Sequence, residues 1–558
     1  AAIVTAVTDA TPDDLELARL CATMHAVAGD RARAIELLRV LRRARPADAD
    51  ALFNLATCER DAGDLDGATR DFAEYTLAFP KDPAGWASLA ECRHRAGAHD
   101  EGLRAADRAI QLDPKCAPAY TARGHCLRGL GRHEQALDSY RRANRLVPNV
   151  ECWHHSGLAL AALGRTAEAV DCLGQALRLQ PGLAPTHAAR ADALRRLGRV
   201  DEAIADYVEA LRLAPRDEAS LREATTLLLQ TGQGARALAL CRDLARDDPG
   251  HLAARLGAEW TLGQLVPLWH VPMMNERERN EAYRDGLAAV VGPDAEVFEI
   301  GTGSGLLAMI AARLGARTVR TCEAVPLIAE TARTIVARNG LQDRVTVLAK
   351  PSHAVRVGED LPAKADVLVH EIFSSELLGE AVLPAIEDAK ARLLKPGGAV
   401  MPRAASIVVA LVGGEALGRH LHVDRVLDFD LGPFNAIYPK KVPLQREDLA
   451  PRLLSDDIEA FRFDFAGASR FPAERRTLRL VATEDGTCHG VVQWLRVDLA
   501  PGVAYENHPS RSRAVANWQP TVFAFDAPLQ LRRGDAVTIE AAHDRSRPWF
   551  ARVEGGAG

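Results

Sequence analysis

Apolar positions along the chain follow two different periods, and the change falls near residue 295. In the front half they sit in helix-length segments punctuated by two ladders. Glycines stand at Gly29, Gly63, Gly97, Gly131, Gly164, Gly198 and Gly232. Prolines follow at Pro46, Pro80, Pro114, Pro148, Pro181, Pro215 and Pro249, both series stepping by 34 residues with a single step of 33. Each unit predicts helix–turn–helix, with glycine in the turn after the first helix and proline stopping the second. Five residues after each glycine comes Ala34, Ala68, Gly102, Ala136, Ala169, Ala203 or Ala237. A small residue there lets paired helices approach closely. One unit cannot bury its own apolar face, so neighbours must stack. Trp86, Tyr120 and Trp153 share the position eleven residues before the glycine, where other units carry Ala18, Leu52, His187 and Leu221. We read these rings as packing residues, not ligand-binding ones.

From about residue 295 the pattern becomes strand–loop–helix. AEVFEI is a short apolar strand, GTGSG follows, and LLAMIAARLG is a helix closed by Gly315. TVRTCEA, RVTVLA and ADVLVHE read as further strands, separated by helical stretches such as PLIAETARTIVARNG. This alternation predicts a parallel sheet with helices on both faces, whose ligands bind at the carboxyl ends of the strands. After residue 402 the chain turns β-rich, with ASIVVALV, CHGVVQWLRVDL, TVFAFD and DAVTIEAA as strands.

Composition narrows the reading only modestly. A chain of 558 residues has room for about 3 to 5 domains. Its net charge of −6, with mixed signs throughout, gives no broad electrostatic footprint for nucleic acid. Ten cysteines are scattered without a CxxC or a paired Cys/His spacing, so we expect neither a disulfide frame nor a metal site, and a reducing compartment. The opening AAIVTAVTDA has no basic n-region, and no run approaches the ~18 apolar residues of a membrane span. The expectation is a soluble, cytoplasmic protein without membrane partners.

Candidate chemistry clusters in the parallel-sheet region. Glu299 precedes a turn carrying Gly301, Gly303 and Gly305, and Glu323 ends the next strand. Glycine lets the backbone pass close to a ligand, and an acid at the second strand end can accept both ribose hydroxyls. A dinucleotide fingerprint would need GxGxxG, but residue 306 is leucine, so the spacing fits S-adenosylmethionine better than NAD. Glu371 ends the fourth strand and Glu380 lies nine residues on. A continuous helix would rotate them by about 900°, onto opposite faces. They converge only if the segment between them turns back as a loop; otherwise they are two solvated acids.

The repeat resembles the tetratricopeptide repeat, over residues 13–255. EIFSSELLGE resembles the double-glutamate loop of the protein arginine methyltransferases, and LLKPGG (393–398) resembles the turn before the fifth strand in methyltransferases. WHVPMMNERERN resembles that family's first segment contacting S-adenosylmethionine. By this resemblance His270 approaches the cofactor, Met273 borders the active site, Arg279 pairs with the methionine carboxylate, and Glu323 holds the ribose. Glu371 and Glu380 would clamp a guanidinium, which is planar, always protonated and forked. His370 lies outside the family pattern, and we read it as structural. Asn517 and Trp518 stand where the family has a Thr-His-Trp loop closing the arginine pocket, so Trp518 would offer its face to a cation.

The implied architecture is multidomain: an all-α repeat superhelix, then linker helices and a Rossmann-like class I methyltransferase fold over 256–402, then a β-barrel over 403–558. A dimerisation arm would lie near 427–449. Relatives whose motif reads MLxDxxRN carry two modules in tandem; this chain has room for one, which implies a homodimer. The implied function is methyl transfer from S-adenosylmethionine, giving S-adenosylhomocysteine, to arginine in a protein or peptide, with the repeats recruiting substrate or supporting the dimer. Two departures stand out. Asn517 replaces a histidine, and WTLGQLVPLWH stands in place of a YFxxY helix, tilting against asymmetric dimethylation. A small guanidino substrate, or a silent scaffold, are the competing readings.

Overall fold

The computed structural model describes residues 12–444, 449–510 and 517–553. The chain divides into two compact units, Ala1–Thr261 and Leu262–Gly558.

The first unit is a run of paired helices, from Pro12–Val27 with Arg31–Ala44 to Glu218–Gln230 with Gly234–Asp247. All seven ladder glycines take left-handed backbone, with φ between +71° and +88°, as the turn between paired helices requires. Each ladder proline follows two residues after the end of a second helix. The six alanines of the small-residue series are fully buried. At Gly102 an added Cβ would lie 2.7 Å from Cys126 Sγ and 3.0 Å from the Ala90 carbonyl oxygen, so even alanine is too large there. Trp86 and Tyr120 pack half-buried against the hydrophobic clusters, and Trp153 is half-buried too. The shared position therefore lies at the margin of the core, and only its small or aliphatic occupants Ala18, Leu52 and Leu221 are fully buried. A further helix, Leu252–Leu265, runs continuously past residue 255, where the sequence pattern of repeats stops.

The second unit opens with the short helix His270–Asn275 and the helix Arg277–Val290. Five parallel strands follow: β1 (Glu296–Ile300), β2 (Thr318–Cys322), β3 (Val345–Leu348), β4 (Ala365–His370) and β5 (Leu394–Met401). Their order is β3-β2-β1-β4-β5, so the strand order switches beside β1 and the ends of β1, β2 and β4 adjoin one crevice. Val297, Phe298, Val319, Leu368 and Val369 are buried, as strands covered on both faces must be. LLKPGG does not form a turn ahead of β5. Leu394 already pairs with Ala365, and the next pair is Val367 with Ala399, so Lys395–Gly398 form an irregularity inside the strand.

Beyond residue 402 the strands are antiparallel. β6 (Ala404–Gly413) is buried along its whole length and pairs with the long strand Gly486–Ala500, which pairs in turn with Thr521–Leu531. They belong to a seven-stranded sheet, accompanied by a three-stranded sheet of Glu474–Val481, Ala536–His543 and Pro548–Arg552. One hydrophobic cluster joins parallel and antiparallel regions through Phe373, Phe461, Phe465, Leu495 and Trp518. Among the described residues, no helix is long and apolar enough to cross a membrane.

Candidate active site

The ends of β1, β2 and β4 open onto a cavity of about 440 Å³. Its floor is the glycine turn. Gly301, Gly303 and Gly305 all have positive φ, and a Cβ at Gly303 would meet nothing within 4 Å. The backbone at Gly303 is therefore bare toward the cavity. At Gly301 a Cβ would lie 2.7 Å from Ile372 Cγ2, which fixes how closely the turn approaches the loop after β4. Glu323, one residue past β2, is held by two backbone donors: Gly303 N–H to Oε2 at 3.1 Å and Val325 N–H to Oε1 at 3.0 Å. Each oxygen keeps a lone pair for a further donor.

Glu299 lies within β1, is 1% exposed, and lines the cavity with an Oε2 that has no partner among the described residues. Burial pushes its carboxyl up to about 8. Arg279, in the first turn of Arg277–Val290, is 2% exposed. Its Nη1 donates to the Glu371 carboxylate, and its Nη2 donates to the Met273 carbonyl at 2.9 Å and to Asn280 Oδ1 at 2.8 Å. Burial would lower the Arg279 pKa, but Glu371 overrides it and holds the guanidinium charged.

The segment between the two glutamates turns back on itself. Ser374 bridges Leu377, and Ser374 Oγ accepts the N–H groups of Glu376 and Gly379. Leu377, Glu380 and Ala381 all have positive φ, a conformation non-glycine residues rarely adopt unless the surroundings impose it. The result brings Glu371 and Glu380 to the wall of one cavity. Both carboxyls are pushed upward by burial: Arg279 opposes the shift at Glu371, while Glu371 and Glu323 add to it at Glu380.

His270, Met273, Arg279, Glu299, Gly301, Gly303, Glu323, Glu371 and Glu380 all line the cavity. Gly305 and Trp518 do not line it. Gly305 begins the helix Leu306–Arg313. Trp518 is buried behind the glutamate loop, its Nε1 donating to the Phe373 carbonyl at 3.1 Å. Its ring face is already occupied by the Arg279 guanidinium, 5.9 Å from the centroid. Likewise Arg279 bonds Glu371 here, the acid the sequence reading gave to the substrate. His370 is fully buried, edge-on to Phe373 and Phe465, in keeping with a structural role.

Sequence reasoning passed over Glu276. This buried carboxylate accepts the Tyr505 hydroxyl and the Asn517 N–H, the latter at 2.9 Å, and so ties the start of Arg277–Val290 to the β-region. It also passed over Trp269, which stacks on His270 with centroids 4.1 Å apart, and Ser352 and His353 beyond β3, all of which line the cavity. Trp269 lay inside the quoted motif; Ser352 and His353 carried only their place after a strand end.

A parallel sheet with a glycine turn, an acid at the second strand end and a carboxylate loop after the fourth defines a Rossmann-like methyltransferase domain. Residues 285–402 match the family described as ribosomal protein L11 methyltransferase. Tetratricopeptide-repeat families match residues 27–92, 95–151, 150–182 and 184–217. Over 275 residues the chain is 36% identical to an arginine N(omega)-methyltransferase of Streptomyces achromogenes subsp. streptozoticus, covering 49% of this chain and 75% of that protein. Over 276 residues it is 33% identical to protein arginine N-methyltransferase 7 of Oryza sativa subsp. indica, covering 45% of this chain and 38% of that one. Among solved structures, it resembles a Trypanosoma brucei PRMT1 enzyme–prozyme complex with AdoHcy (TM-score 0.45, 20% identity, covering 51% of this chain and 98% of that one). It also resembles Arabidopsis thaliana protein arginine methyltransferase 10 (TM-score 0.42, 23% identity, 49% and 86%). The chain belongs to the arginine N-methyltransferase family that includes the protein arginine N-methyltransferases. Membership implies S-adenosylmethionine as methyl donor and arginine as acceptor.

Proposed function

We propose that this enzyme methylates arginine side chains in proteins or peptides, with Glu371 and Glu380 clamping the acceptor guanidinium. The observation that carries the reading is the loop that turns Glu371 and Glu380 into one cavity beside the glycine turn. The cavity's residues suit S-adenosylmethionine. Glu323 has lone pairs for ribose hydroxyls, Gly303 leaves its backbone bare, and Arg279 is a buried cation in the cavity wall that would pair with the methionine carboxylate. When bound, that group supplies an electrophilic methyl on a sulfonium. Glu380, facing the open cavity, and Glu371 hold the guanidinium by charge-assisted hydrogen bonds and orient one terminal nitrogen. They draw positive charge toward the other nitrogens, which leaves the attacking one more nucleophilic. Either carboxylate can then take the proton lost after transfer. Met273 borders the acceptor, and Trp518 backs the clamp by holding Arg279 and the Phe373 carbonyl.

The repeat array recruits the protein substrate in this reading. A homodimer forms through the segment near 427–449, of which residues 445–448 lie outside the described residues. Val426, Leu427, Phe429, Leu431, Phe434 and Ile437 leave it apolar and exposed, as a segment that packs on a second copy would be. The name of the Streptomyces relative favours a second reading, in which the acceptor is free arginine. Offering labelled S-adenosylmethionine with arginine-containing peptides and with L-arginine, side by side, decides between them. Label in peptide, mapped to arginine by mass spectrometry, is the expected result; label in free arginine alone overturns the protein substrate.

A further inference from the structure

The repeat array holds a histidine cluster that the methyltransferase reading leaves unused. His125, on the helix Ala117–Gly129, is 5% exposed, and Glu151 and His155 sit one turn apart on the helix Val150–Ala162 of the next repeat. One donor atom from each lies within 4.8 Å of the other two. His125 Nε2 is 3.1 Å from Glu151 Oε1, and His155 Nε2 is 4.0 Å from the same oxygen. Bonds of about 2.0–2.2 Å to a tetrahedral cation place ligand atoms roughly 3.3 Å apart, so the first pair is already at that spacing. The second pair is wider and shares the same oxygen of Glu151, whose side chain is 54% exposed at the edge of the set.

The surroundings of His125 are those of a ligating imidazole. His125 Nδ1 is 2.9 Å from the Tyr140 hydroxyl, which fixes the ring and leaves Nε2 aimed at Glu151. His155 stands edge-on to His125, with centroids 4.6 Å apart, and its buried Nδ1 has no partner among the described residues. His94 stacks on the far face of the set, 5.2 Å from His125, and His154 is anchored through Nδ1 on Thr186 Oγ1 at 2.9 Å. Arg128, on the helix of His125, carries a charge that opposes a dication, and Glu151 is the acid that offsets it.

We propose that His125, Glu151 and His155 bind one divalent transition-metal ion of the zinc type, bracing two adjacent repeats and keeping a fourth position open. Two imidazoles and one carboxylate suit zinc-like cations rather than magnesium or calcium, which prefer all-oxygen sites. His125 and Glu151 also line a groove with Thr121, Glu91 and Arg60, toward which the open position would face.

The test uses the full chain stripped with chelator. Zinc titrated by calorimetry is expected to bind with one tight equivalent, and cobalt(II) in its place to show the visible absorption of a four-coordinate site. Glu151→Gln and His155→Ala are each expected to weaken zinc at least tenfold and abolish the cobalt band. Glu151→Gln preserves shape at a half-exposed position, and metal-free melting curves confirm that both variants fold. A wild-type chain without a tight equivalent, or variants that bind as the wild type does, overturns the proposal.

Discussion

Replacing Glu371 by glutamine keeps the side chain's shape and removes its charge from a position where two cations converge in the proposed mechanism. In the structure the carboxylate accepts from Arg279 Nη1, and both side chains are almost fully buried, at 8% and 2% exposure. Truncating one partner of a buried, hydrogen-bonded charge pair costs about 2–5 kcal/mol. If the same loss falls on the bound guanidinium, kcat/KM drops by about 30- to 5,000-fold, at roughly 1.36 kcal/mol per decade. Arg279 retains the Met273 carbonyl and Asn280 as partners, so its position persists, and S-adenosylmethionine should bind within a few-fold of its wild-type affinity. The assay is labelled-methyl transfer to an arginine peptide, with cofactor affinity by calorimetry on the same sample. The pH dependence gives a second readout. The clamp needs carboxylates, and burial raises both Glu371 and Glu380, so transfer should fail on acidification above the ordinary glutamate range. Glu371→Gln that is folded, binds cofactor and turns over within threefold of wild type would refute the clamp.

Three further outcomes follow from individual groups. Glu323→Gln should weaken S-adenosylmethionine by about 10- to 150-fold in calorimetry, the cost of roughly 1.5–3 kcal/mol for a charged hydrogen bond, while the melting curve changes little. Burial holds the Glu299 carboxyl up at about 8 in the folded chain, against an ordinary glutamate value of 4.5. The folded state therefore keeps a proton that the unfolded state has lost, and stability falls as pH rises from about 4.5 to 8. Glu299→Gln should remove that slope, on the order of a few kcal/mol across the range, in urea unfolding of the cofactor-free protein. Phe429→Asp, at a side chain 71% exposed, should shift sedimentation from dimer to monomer without lowering the melting temperature.

What the sequence disclosed and what it withheld divide along a physical line. Features dictated by backbone conformation were legible: the glycines with positive φ, the prolines two residues past each helix, and the turn at Gly301–Gly305. Glu371 and Glu380, nine residues apart, could converge only through a loop, and the loop is there. Side-chain pairings over long separations were not legible. Arg279 and Glu371 are 92 residues apart, and nothing local says that one buried charge answers the other. The histidine cluster was hidden for a different reason. His94, His125 and His155 step by 31 and 30 residues against local repeats of 34 and 33, so they occupy different repeat positions and meet by sliding about one turn per helix. A search for equivalent positions passes over them.

The departure at Asn517 illustrates the same division. A histidine replaced by asparagine suggests a lost side-chain contact in the loop behind the pocket. In the structure the bond comes from the Asn517 backbone N–H to Glu276 Oε2, which any residue but proline can make. The neighbouring anchors are equally indifferent to residue 517: Asn507 donates to the Trp518 carbonyl at 2.6 Å, and the Gln519 N–H donates to Ser375 Oγ at 3.2 Å. Glu276 is then the residue whose identity matters, since its charge strengthens both the Asn517 and the Tyr505 bonds. Losing a charged hydrogen bond is worth about 1.5–3 kcal/mol, so Glu276→Gln should speed hydrogen exchange at the Asn517 amide by about 10- to 150-fold. Asn517→Ala should leave that exchange unchanged. Rapid exchange in Asn517→Ala with Glu276→Gln still protected would return the loop-fixing role to the side chain at 517.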